Sequence, residues 1–85
     1  MRKSIYTEKQ KSFCAALREA RLKAGLTQAD VAKRLKKPQS FVSKYEGGER
    51  SLDFIEFLEV ADAIELDPRA MIATVKGVGL AYEQL

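Results

Sequence analysis

Eighty-five residues, 46% apolar and 32% charged, amount to one small domain, which excludes any architecture built around a large active-site cavity. With no histidine and a single cysteine, Cys14, the chain also lacks most metal-ligand spacings, histidine-based catalysis and an internal disulfide. The net charge of +3 is segregated: residues 1–50 hold 13 Lys or Arg against 5 Asp or Glu, a balance of +8, and residues 51–85 hold 2 against 7, a balance of −5. The basic half suits a polyanion, although a basic stretch taken alone is equally well explained as a solvated surface.

In chain order, Phe13, Leu17, Ala20, Arg21 and Ala24 recur at spacings of three and four, which predicts a helix from about Glu8 to Lys23 with one inward face. Gly25 ends it as a left-handed cap. A second start follows, with Thr27 as cap, Asp30 three residues on and Leu26 placed to pack against Val31. Val31, Ala32 and Leu35 form its apolar face, and Lys36-Lys37-Pro38 breaks it. A third helix begins at Pro38, runs through Glu46 and stops at Gly47-Gly48. Asp53 caps a fourth, with Glu56 reaching back and Leu52 stapled to Phe57, and it runs to about Ile64. A fifth opens at Asp67-Pro68, sets Met71 against Leu66 and fades near Lys76-Gly77. The last residues read as a loose tail, in which Val78, Leu80 and Tyr82 alternate enough for a short strand or a dimer contact.

The two short helices joined by about three residues make a helix-turn-helix. Gly25-Leu26-Thr27-Gln28-Ala29-Asp30-Val31-Ala32, followed by Gln39 through Arg50, resembles the Cro and phage-repressor type of that motif, the XRE family. The likeness covers about residues 12 to 73. It implies an all-α, compact five-helix lambda-repressor-like bundle that binds double-stranded DNA, usually as a homodimer on a two-fold symmetric operator, and represses or tunes transcription. The chain then divides into residues 1–11, an arm and the start of helix one; 12–76, the helix-turn-helix domain; and 77–85, a tail that is a candidate dimer contact. The turn departs from the family, which often carries glycine where Lys36 stands, an apolar residue at Lys37 and a serine or threonine cap at Pro38.

At about 100° per residue, Gln39, Ser40, Ser43, Lys44 and Gly47 share one small, polar arc of helix three, while Phe41, Val42 and Tyr45 share the other side. The polar arc fits a major groove. Gln39 is the first candidate for reading a base, because a glutamine amide matches the N7 and N6 edge of adenine. Ser40 and Ser43 suit a base edge, a phosphate or their own backbone, and Lys44 suits guanine or a phosphate. Phe41 either completes the core or touches a thymine methyl at the groove edge, the core being favoured.

Gln28 stands in the first turn of helix two, where free amides attract an anion, and the family position grips a DNA phosphate. Lys36, Lys37 and Arg50 are the other phosphate candidates, with Lys33 and Lys23 adding to the sequence-independent attraction. Arg21 and Glu46 lie on inward faces, costly to bury singly and acceptable as a pair, and the resemblance implies such a pair. Cys14 reads as a small buried hydrophobe. Helix five and the tail, with Met71, Ile72, Val75, Val78 and Leu80, are the dimer candidates.

Two other functions compete. A protein-binding module, an antitoxin or accessory domain with DNA contact secondary, has no need of +8 on its first 50 residues. An enzyme finds little support, since Asp53, Glu56, Glu59, Asp62 and Glu65 suit a solvated acidic face and Gly77-Val78-Gly79 lacks the rest of a phosphate loop. No cofactor, metal or membrane partner is implied. The polar first ten residues carry no secretory pattern, and no run approaches the roughly 18 apolar residues of a membrane span, so a reducing cytoplasm is the expected location.

Overall fold

In the computed structural model, residues 7–77 are described and form five helices with no strand among them. Each helix begins and ends where its own sequence supplies partners for orphan backbone groups. Helix α1 (Glu8–Lys23) starts at Thr7, whose hydroxyl accepts from the Gln10 amide at 3.1 Å. It closes at Gly25, which at φ +75° lets the amides of Gly25 and Leu26 return to the carbonyls of Leu22 and Arg21 at 3.0 and 3.1 Å. Helix α2 (Gln28–Leu35) opens with a reciprocal box: Asp30 N donates to the Thr27 hydroxyl at 3.0 Å, and Thr27 N to the Asp30 carboxylate at 2.9 Å. The Thr27 backbone amide first, and the Thr27 side chain second, hold the Asp30 carboxyl below the usual carboxylate range.

The turn after α2 uses a left-handed residue that is not glycine. Lys36 takes the left-handed conformation itself, at φ 60° and ψ 44°, so that the Lys37 amide reaches the Ala32 carbonyl at 3.0 Å. Helix α3 (Gln39–Glu46) then starts one residue later than the sequence predicts: Pro38, at ψ 154°, is extended and stands just outside it. Its ring sets φ at −68° but offers no oxygen to the free amides. Helix α4 (Phe54–Ala63) has the predicted Asp53–Glu56 box, and its exit is a second left-handed non-glycine residue, Glu65 at φ 61°. Helix α5 (Pro68–Gly77) has Asp67 accepting from the Arg69 amide at 2.9 Å. It keeps Gly77 as its last residue, where the tail is expected to begin; residues 78–85, with Val78, Leu80 and Tyr82, lie outside the described residues.

Helix α2 packs on α3 and α4, and α1 on α3 and α5. Leu17, Val31, Val42, Tyr45, Val60 and Ile64 are each almost wholly enclosed at their junction, at roughly 1.5–3 kcal/mol of burial for each large aliphatic side chain. Cys14 is buried as expected, and burial pushes its thiol above the usual range. Arg34 does what no local pattern announces. Its guanidinium donates to the Ala63 carbonyl at 2.7 Å and to the Glu65 carboxylate at 3.2 Å, so α2 caps the C-terminus of α4 and fixes the angle between them.

Candidate nucleic-acid interface

The site grows outward from a buried ion pair. The Arg21 guanidinium donates from Nε to Glu46 Oε2 at 2.7 Å and from Nη2 to Oε1 at 3.0 Å, and its Nη1 donates to the Leu26 carbonyl at 3.0 Å. The two side chains are 8% and 3% exposed, and the hydrogen bond to Glu46 raises the Arg21 pKa above its usual value. The pair ties the end of α3 to α1 and to the chain entering α2.

Glu46 has capacity left, and α2 uses it. Gln28 Nε2 donates to Glu46 Oε1 at 3.0 Å, and the amide oxygen of Gln28 faces Gln39 Nε2 at 3.5 Å. Four side chains from three helices therefore run in sequence from the core, Arg21, Glu46, Gln28 and Gln39, and the last of them emerges on the surface at the first residue of α3. Gln28 is half-buried and Gln39 exposed, so the first is held while the second projects.

Ser40, Ser43 and Lys44 are exposed on the same side of α3 as Gln39, whereas Val42 and Tyr45 are buried on the other. Gly47 belongs to the polar arc, and a Cβ there would stand 3.1 Å from the Ser43 carbonyl, so a side chain would crowd the end of the helix. Lys36 and Lys37 project from the turn immediately before α3, both exposed. Among the described residues neither Lys36 nor Lys44 enters an ion pair.

Arg50 is placed differently. Both carboxylate oxygens of Glu56 accept from it, at 3.0 and 2.9 Å, and the Ser51 carbonyl accepts at 3.0 Å. Its guanidinium carbon lies 4.7 Å from the centre of the Phe41 ring, over which Lys37 Nζ also stands at 5.3 Å. Neither Glu56 as the Arg50 partner nor the cations over Phe41 was visible in the sequence, because six residues across a loop obey no helical spacing. Phe41 itself is half-buried against the core and meets Tyr45 edge-on at 5.5 Å.

The dimer candidates separate cleanly. Met71 is 3% exposed and belongs to the core of its own chain, correcting its expected surface role; Val75 is half-buried; Ile72 is 54% exposed. Val78 and Leu80 lie outside the described residues. Phe54 and Ile55, which the sequence reading did not single out, are 63% and 62% exposed at the start of α4. The signal that would have found them is a second run of apolar residues, Phe54, Ile55 and Leu58, beside the inward face of α4.

A short helix with one exposed polar face, tied to α1 through a buried ion pair, packed on α2 and joined to it by a basic turn, defines a DNA-binding helix-turn-helix domain. The chain matches the helix-turn-helix family over residues 17–70, and it belongs to that family, in its XRE branch. It is similar to the solved structure of an XRE-family like protein from Pseudomonas syringae pv. tomato, with 42% identity over 89% of this chain and 93% of that one and a TM-score of 0.81. It shares its fold with a point mutant of the restriction-modification controller protein C.Esp1396I, with 19% identity over 81% of this chain and 87% of that one and a TM-score of 0.73. No curated protein is similar enough to count as a match.

Proposed function

We propose that the protein is a sequence-specific transcriptional regulator, a repressor, that binds double-stranded DNA in the cytoplasm as a homodimer, with α3 in the major groove. The observation that carries this reading is the chain of contacts from Arg21 through Glu46 and Gln28 to Gln39, which anchors one exposed amide at the head of α3. An amide held at one end is suited to reading adenine. Ser40, Ser43 and Lys44 share its arc, Lys36 and Lys37 supply charge to the flanking phosphates, and Gln28 offers a half-buried contact to the nearest one. In this reading residues 12–76 are the binding domain, flanked by 1–11 and 77–85, and no catalysis is assigned.

Dimerisation follows from economy and from the surface. One short helix makes few base contacts, and a two-fold copy supplies a second about 34 Å away. Phe54, Ile55, Leu58 and Ile72 are the large apolar side chains left open on α4 and α5, in the acidic half that repels DNA. That surface suits a second copy; it also suits the partner of an antitoxin-like module, the rival function.

The experiment is selection of binding sites from a random duplex library, followed by affinity measurement at two salt concentrations for the wild type, Gln39→Ala and a Lys36→Gln/Lys37→Gln/Lys44→Gln variant. A palindromic winner, discrimination lost at one A·T position in the first variant and a shallower salt dependence in the second support the reading. Failure to select any sequence, with weak binding even at low salt, refutes it in favour of a protein-binding module.

A further inference from the structure

Phe41 is the one large apolar residue of α3 that the core does not enclose, and an unusual amount of structure is spent on fixing it. Arg50 lies over its ring at 4.7 Å and Lys37 at 5.3 Å, while Tyr45 meets it edge-on at 5.5 Å. Arg50 is in turn immobilised: two bonds to Glu56 at 3.0 and 2.9 Å and one to the Ser51 carbonyl at 3.0 Å fix the plane of its guanidinium. Glu56 is anchored at the start of α4, where Oε1 also accepts from the Asp53 amide at 3.0 Å. A planar cation held on both sides can hold the ring beneath it.

The same contacts weaken Arg50 as a phosphate grip. Its charge is matched by a carboxylate at hydrogen-bond distance, so a phosphate approaching it meets a nearly neutral pair, with Nε and one Nη2 hydrogen left to donate. Around the helix axis Phe41 lies about 60° from Lys44, at the margin of the exposed arc rather than opposite its centre. An apolar ring at that margin is complementary to one feature of a major groove, the 5-methyl group of thymine.

We propose that Phe41 is a specificity-determining contact to a thymine methyl, and that Arg50, clamped by Glu56, is the positioning residue that holds Phe41 for it. The inference rests on α3 occupying the major groove and adds a residue and a base feature to that reading.

The test uses the selected duplex, with each thymine replaced in turn by deoxyuridine, which removes a single methyl group. Wild-type protein is expected to lose about three- to ten-fold in affinity at one thymine per half-site, the scale of one buried methyl. Phe41→Ala should show no loss at that thymine and unchanged losses elsewhere, and Phe41→Leu an intermediate loss. Glu56→Gln keeps a residue that serves the capping box but removes the charge and one of the two bonds that hold Arg50; with its thermal midpoint checked, it should bind with equal or greater overall affinity yet weaken the methyl effect.

If specific binding is found but no methyl effect depends on Phe41, the inference falls while the reading of the site stands. If Glu56→Gln strengthens binding and leaves the methyl effect intact, Arg50 acts on phosphate and the positioning role is refuted. If no sequence is selected at all, the site reading fails and takes the inference with it.

Discussion

Replacing Glu46 with alanine should strongly destabilise the protein. The substitution leaves Arg21, whose side chain is 8% exposed, as an uncompensated interior cation, and it removes the acceptor for Gln28 as well. Breaking a buried pair from one side costs about 3–5 kcal/mol, against a total stability of roughly 4–13 kcal/mol for a domain of this size. At about 4–8 °C per kcal/mol, the melting temperature measured by far-ultraviolet circular dichroism falls by about 15 °C or more. The double variant Arg21→Met/Glu46→Leu, which removes both charges and keeps the volume, should recover most of that loss. It should nevertheless remain poor at discriminating sequences, because Gln28 no longer has the carboxylate that steadies it beneath Gln39. A Glu46→Ala protein within about 1 kcal/mol of the wild type would refute the reasoning, since it would mean the pair is solvated and anchors nothing.

Three further outcomes are expected. Tyr45→Phe should be neutral or stabilising by up to about 1 kcal/mol in the same melting assay, because the Tyr45 hydroxyl is buried with no hydrogen-bond partner among the described residues and burial raises its pKa; a loss above about 1 kcal/mol would show that the hydroxyl is bonded. Lys36→Gly should gain up to about 1 kcal/mol by relieving the left-handed conformation, net of the extra freedom of glycine in the unfolded chain, and a destabilised variant would contradict that geometry. Arg50 first, and the Asp53 amide second, hold the Glu56 carboxyl at about 2 against an ordinary 4.5. Because the folded value is the lower one, this contribution is complete above about pH 4.5 and is lost as the pH falls toward about 2. Acid titration of Glu56→Gln should therefore show a shallower loss of stability across that window than the wild type.

The helix boundaries were legible because they are local. Thr27 with Asp30, Asp53 with Glu56 and Gly25 place donors and acceptors within a few residues, and the structure closes each with bonds of 2.7–3.1 Å. Periodicity likewise separated the enclosed Val42 and Tyr45 from the exposed Gln39, Ser40, Ser43 and Lys44. The pairing of Arg21 with Glu46 was readable for a related reason: two charges on inward faces need each other. Pro38 was misplaced by one residue because its φ suits both the first helical position and the one before it, and only ψ distinguishes them.

The amino-acid sequence by itself determined five helices, their order, the inward faces of the first three and the polar arc of α3, since caps, turns and periodicity act over three or four residues. Tertiary structure alone decided which long polar side chains meet across elements. Gln28 shares the carboxylate of Glu46, Arg34 caps α4, and Arg50 pairs with Glu56 and lies over Phe41. Met71 faces inward and Ile72 outward by the same kind of decision. Arginine and glutamine side chains reach several ångströms in many rotamers, so their partners are chosen by the packing of distant helices and not by spacing along the chain.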